Sequence, residues 1–166
     1  NKSLEDIAAV GPLADILELR LDLMSDYDLD ALLSASTKPC IVTNRTKREG
    51  GQFSGSEEQR IGLLKQAMAA GAEYVDIETS TPKELLKPFL ESDHQSKVIL
   101  SYHNFTDTPE EIGHLYDLMC GMPADILKIV TYARDITDNL ALFELLHRSK
   151  NDDKKLIALC MGEKGE

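Results

Sequence analysis

A run of alternating leucines and charges, Leu17-Glu18-Leu19-Arg20-Leu21-Asp22-Leu23, contains the first residues able to do chemistry. At the two-residue period of a strand, Glu18, Arg20 and Asp22 share one face and the leucines the other. On the surface of an antiparallel sheet the leucines would face the core and the charges water. In a parallel strand covered by helices the leucines meet the helices and the charges point inward. There they are tolerable only if paired and hydrogen-bonded. An acid–arginine–acid row supplies that pairing and leaves arginine donors for a ligand. Thr43 with Arg45, Asp76 with Glu78, and Ser101 with His103 repeat the pattern, each pair on one face near a strand end.

Lys128 interrupts Ile126-Leu127-Lys128-Ile129-Val130, a run with no other charge. Such a lysine snorkels from a strand end, pairs with Asp76 or Glu78, or serves as the neutral amine that attacks a carbonyl. A lone histidine at a strand end, as His103 is, can be structural or a general acid/base. The residues alone leave these readings open. The charged, glycine-bearing stretch from Arg45 through Glu49 to Gly50 and Gly51 reads as a solvated loop, or as backbone shaped to approach a ligand closely.

The elements that must position these residues are short apolar runs alternating with helical patterns. The strands are expected at Asp15–Leu23, Pro39–Thr43, Glu73–Ile77, Lys97–Tyr102, Asp125–Thr131 and Lys155–Cys160. Ser56 with Gln59 predicts a capping box, and Gly71 a helix stop. Pro82 and Pro109 mark two further helix starts. Asp135 to His147 predicts a helix with Ile136, Leu140, Phe143 and Leu146 on one face. Repeated βα units imply a parallel sheet covered by helices, with chemistry at the strand C-termini. No glycine fingerprint for a dinucleotide follows the first strand. The chain reads as one domain over residues 1–166, a (β/α)8 TIM barrel lacking its first strand and last βα pair. A complete barrel needs at least ~200 residues.

Composition narrows the partners. The 166 residues carry 29 acids against 18 bases, a formal net charge of -11. That field argues against nucleic acid or an anionic membrane. It leaves room for a small anionic substrate held by a few arginines. Cys40, Cys120 and Cys160 have neither metal nor redox spacing and read as small buried hydrophobes of a reducing compartment. His94, His114 and His147 read as surface residues. No stretch approaches the ~18 apolar residues of a membrane span, and Asn1 to Asp6 is not a signal peptide.

Taken together, Glu18-Leu-Arg20-Leu-Asp22, Arg45 with Glu49-Gly50-Gly51-Gln52-Phe53, Tyr74-Val-Asp76-Ile-Glu78, Ser101-Tyr-His103-Asn104-Phe105, Asp125-Ile-Leu-Lys128-Ile-Val and Met161-Gly162 resemble the type I 3-dehydroquinate dehydratases. The motifs fall in that family's order across essentially the whole chain. The resemblance implies a metal-free lyase of the shikimate pathway of aromatic amino-acid biosynthesis, with no organic cofactor. Lys128 is implied as the Schiff-base lysine, His103 as the general acid/base, and Glu49 as the carboxylate that orients and charges that histidine. Glu18, Arg20 and Arg45 are implied to hold the ring hydroxyls of 3-dehydroquinate, with Asp76 and Glu78 in support and Met161 lining the pocket.

The family's arginine for the substrate carboxylate, and the serine and glutamine of its closing loop, lie beyond the Met-Gly motif and outside this sequence. The segment alone is therefore expected to be inactive and poorly stable. A cytoplasmic location is expected, or a plastid one if the source is a plant. A homodimer and a fusion to shikimate dehydrogenase are both left open. Two other classes fit part of the pattern. An aldolase-type Schiff-base barrel shares the lysine but gives no reason for the Glu18–Arg20, Glu49-Gly-Gly and His103 set. A non-catalytic sensor on the same fold would tolerate loss of the lysine and histidine, and both are present.

Overall fold

A computed structural model describes residues 2–165. The chain divides into two compact units, Asn1–Ile77 with Ser92–Lys97, and Glu78–Glu91 with Val98–Glu166.

The first unit runs α1 (Lys2–Val10), β1 (Leu17–Arg20), α2 (Leu29–Ala35), β2 (Cys40–Thr43), α3 (Glu57–Ala69) and β3 (Tyr74–Glu78). β2 pairs in parallel with both β1 and β3. Helix starts are chemically marked. Asp28 caps α2 by accepting from the Ala31 N–H at 3.0 Å. Ser56 and Gln59 cap α3 reciprocally in the expected box, satisfying donors that the first turn leaves unpaired. Gly71 stops that helix at φ +92°, a conformation that a side chain would strain. Leu17, Leu19, Val42, Leu64, Val75 and Ile77 are buried in this unit. So is Arg60, whose Nε and Nη2 donate to Glu57 at 3.2 and 2.8 Å.

The second unit runs α4 (Lys83–Leu90), β4 (Lys97–His103), α5 (Ile112–Cys120), β5 (Ile126–Tyr132), α6 (Asp138–Asn151) and β6 (Lys155–Met161). β5 pairs in parallel with both β4 and β6. Its core holds Phe89, Leu100, Tyr116, Met119, Leu127, Ile129, Leu142 and Leu145. Tyr116 donates to Asp152 at 2.9 Å, and burial, with Cys120 and Asp152 beside it, pushes its phenol above the ordinary range.

Three expectations about element boundaries and faces need correction. The first strand is shorter than its alternation suggests. Beyond Arg20 the chain enters a 3-10 turn at Leu21–Leu23, so Asp22 is not a strand residue and Leu23 is exposed. Helix α6 starts at Asp138 and buries Leu142, Leu145 and Ser149. The expected apolar face is largely outside, with Ile136, Leu140 and Phe143 at 66%, 63% and 61% exposure. Both sets satisfy helical spacing, so periodicity could not choose between them. Finally, helix α5 begins at Ile112, not at Pro109.

Cys40 and Cys160 are buried, as expected, whereas Cys120 is intermediate. No described helix is long and apolar enough to cross a membrane.

Candidate active site

In the first unit the ladder places Arg20, Thr43 and Asp76 in one row, since Arg20 pairs with Thr43 and Thr43 with Asp76. Paired residues of parallel neighbours face the same way, so these polar groups share a face with Glu18. Thr43 donates its hydroxyl to Glu18 at 2.6 Å. Arg45, two residues past Thr43, reaches Asp76 at 2.9 Å, with both side chains almost fully buried (4% and 0% exposed). Glu18 itself is exposed, contrary to the expected buried row. Among the described residues β1 pairs only with β2, so its other edge is open. There Glu18 and Arg20 line a groove of about 490 Å³ with residues of α1.

Asp22 organises this cluster. Arg20 grips it with two donors, Nε at 2.9 Å and Nη2 at 2.8 Å. The backbone N–H groups of Arg45 and Gln52 donate to the same carboxylate at 3.2 and 3.0 Å. The turn thus bridges β1 to the loop after β2. Burial alone would raise the Asp22 pKa. The Arg20 guanidinium and the two backbone donors outweigh it and hold the carboxyl below its ordinary 3.8. The hydrogen bond to Asp22 correspondingly raises Arg20.

A depressed carboxyl stabilises the fold fully above 3.8, and that contribution is lost as pH falls through the lower folded value. Asp22→Asn is therefore expected to cost about 1–3 kcal/mol at neutral pH. The gap between parent and variant should narrow as pH falls below 3.8. Denaturant midpoints at pH 7 and pH 3 check this, and a gap independent of pH would contradict it.

The loop that follows is folded on itself. Glu49 is buried at the end of a 3-10 turn, Lys47–Glu49. The Gly51 N–H donates to Thr46 O at 2.8 Å and the Phe53 N–H to Arg45 O at 3.1 Å. A Cβ on Gly51 would lie 2.1 Å from the Arg45 carbonyl oxygen. The close approach that this glycine permits is to the chain's own backbone.

In the second unit β4 and β5 carry the lysine and histidine singled out from the sequence. Ser101 pairs with Lys128 and His103 with Val130, so Lys128 and His103 lie on one face, two positions apart along the strands. Standard strand spacing puts their Cα atoms about 8 Å apart. Both side chains are half-buried, and Ser101 beside the lysine is fully buried. Across β5 the same face continues into β6 through Ile157, Leu159 and Met161, in register with Lys128, Val130 and Tyr132. Lys128 is thus flanked by a serine on one side and an apolar wall on the other.

Ile157 and Leu159 belong to this setting, although the sequence reading did not single them out. Their register with Lys128 depends on strand pairing that a single run of residues does not reveal. Glu78 is buried in this unit, where the Thr79 N–H donates to Ser101 O at 2.8 Å. Gly162 (φ +87°) lets the chain turn under the Tyr132 ring, which a Cβ would meet at 2.7 Å. No group of three metal-ligating side chains occurs among the described residues.

The fold and the two clusters define an α/β protein with a lysine and a histidine sharing a face of adjacent parallel strands, the histidine at its strand's C-terminal end, and comparison with known proteins agrees with that class. A family model described as Type I 3-dehydroquinase matches residues 1–166. A 3-dehydroquinate dehydratase of Dehalococcoides mccartyi is 46% identical over 156 residues, covering 92% of this chain and 68% of that protein. The chloroplastic bifunctional 3-dehydroquinate dehydratase/shikimate dehydrogenase of Arabidopsis thaliana is 36% identical over 159 residues, covering 92% of this chain and 26% of that protein. The solved structure of 3-dehydroquinate dehydratase from Enterococcus faecalis matches with TM-score 0.85 at 27% identity, over 98% of this chain and 76% of that one. The chain belongs to the type I 3-dehydroquinase family.

Proposed function

We propose that the protein dehydrates 3-dehydroquinate to 3-dehydroshikimate through an imine on Lys128. The observation that carries this reading is the placement of Lys128 and His103 on one face of adjacent strands, with Ser101 directly beside the lysine. The Lys128 amine, neutral when it attacks, adds to the substrate ketone, and loss of water gives the iminium. This draws electrons from the neighbouring carbon, and His103 removes its proton to leave an enamine. The enamine pushes out the ring hydroxyl, which takes the proton back from His103 and leaves as water. A second water hydrolyses the imine and restores the amine, so one molecule of water is lost overall.

Glu18, Arg20 and Arg45 are assigned to the ring hydroxyls and Met161 to the pocket wall. Glu49 is assigned as the carboxylate that orients the histidine, with Asp76 and Glu78 in support. The Arg45–Asp76 pair and the Asp22 hub favour the two arginine assignments, because they hold the guanidinium groups in fixed directions.

We also read the βα units as part of an eight-fold barrel completed by further chain. Ile157 and Leu159 on β6, and Ile136, Leu140 and Phe143 at α6, are exposed apolar residues that such a segment would cover. The aligned residues span 68% of the D. mccartyi relative, which leaves length for it.

The test is borohydride reduction of the intact protein with 3-dehydroquinate, followed by mass spectrometry. A stable adduct on Lys128 is expected. Labelling elsewhere, or no labelling under turnover conditions, would discard the imine mechanism.

A further inference from the structure

We propose that Asn104 is a positioning residue for His103, an inference that rests on the acid/base role just given to that histidine. β4 ends at His103, and Asn104 opens the turn that follows it. The Asn104 N–H donates to Val130 O at 2.8 Å and extends the β4–β5 ladder one residue past the histidine. Its side-chain Oδ1 accepts from the Thr106 N–H at 2.8 Å, the Thr106 hydroxyl at 2.7 Å and the Asp107 N–H at 3.2 Å. Its Nδ2 donates to Asp107 Oδ1 at 2.9 Å. The two backbone donors fix which amide atom faces the turn.

The same loop is clasped from the chain after β5. Arg134 Nε donates to Thr106 O at 2.9 Å, and its Nη2 lies 3.4 Å from Asp107. Phe105, inside the turn, is thereby held with its ring stacked on His103, centroids 6.4 Å apart at an interplanar angle of 20°.

The position asks for an acceptor toward two backbone N–H groups and a donor toward a carboxylate. A primary amide offers both on one short side chain. Aspartate keeps the acceptor but sets a second carboxylate against Asp107. Alanine loses everything except the ladder bond. Misplacing a catalytic group by about 1 Å can cost about 10²-fold in rate.

The experiment uses the intact protein and three variants: Asn104→Ala, Asn104→Asp, and the swap Asn104→Asp with Asp107→Asn. Asn104→Ala is expected to lower kcat about 10- to 100-fold with KM within twofold. It should keep the parent's thermal unfolding cooperativity and the borohydride adduct on Lys128. Asn104→Asp should be similarly slow. The swap restores a donor–acceptor pair with its polarity reversed at the cost of the Arg134–Asp107 ion pair, and should be several-fold faster than Asn104→Asp. An Asn104→Ala kcat within twofold of the parent, or a swap no faster than Asn104→Asp, would overturn the proposal. So would a fall in kcat matched by a rise in KM and loss of cooperative unfolding, because that would mark a merely structural turn. If instead the parent itself forms no adduct on Lys128, the imine reading fails, and that outcome is separate from any effect of Asn104.

Discussion

Lys128→Ala removes turnover, with kcat expected to fall by about 10⁴-fold or more, while the protein stays folded. The magnitude follows from the role. Without the amine no imine forms, and the proton next to an unmodified ketone must be removed without the electron sink that makes it acidic. Loss of a covalent nucleophile typically costs more than loss of one acid/base group, for which about 10²–10⁴-fold is usual. The fold should survive because Lys128 is only half-buried on its strand, and Leu127 and Ile129 on the opposite face supply the packing. Steady-state kinetics and a thermal melt on the intact protein decide the matter. A variant with a near-normal rate, or one that fails to fold, would contradict the role assigned.

Asp76→Ala is expected to destabilise the first unit by about 3–5 kcal/mol. Arg45 stays charged at any accessible pH, and its side chain is almost entirely buried beside Asp76. Removing the carboxylate leaves that charge in a poorly solvated place without the counter-charge 2.9 Å away. Adding Arg45→Met to Asp76→Ala should recover part of the loss, because a flexible apolar side chain refills the space with no charge to satisfy. Urea unfolding of the parent and both variants gives the comparison. Equal midpoints for parent and Asp76→Ala would show that the pair contributes nothing to stability.

Much of this was legible in the sequence wherever the determinant was local. Ser56 and Gln59 announce a helix start because both halves of the capping box lie within four residues. Gly71 announces its end because few other residues adopt that backbone conformation. The shared face of Ser101 and His103, and the oddness of Lys128, follow from a two-residue period that any strand obeys. The failures begin where the answer depends on distant partners. The alternation through Asp22 continues past the point where the chain turns. The turn is held by donors from Arg45 and Gln52, which sequence spacing does not bring near. In α6 two apolar sets compete for one buried face, and tertiary packing chooses Leu142 and Leu145. The Asn104 turn lies between these cases. Asn two residues before Thr is a recognisable turn signal, but the Arg134 clasp is not.

The two-pronged grip of Arg20 on Asp22 has a consequence for recognition. A surface arginine normally samples many rotamers and surrenders that freedom when a ligand arrives. Here the search is already over before any ligand appears, because the chain itself has fixed the plane of the guanidinium. An oxygen arriving at the donors that Asp22 does not engage would meet a rigid template, and under the proposed role of Arg20 its selectivity would come from direction rather than from charge alone.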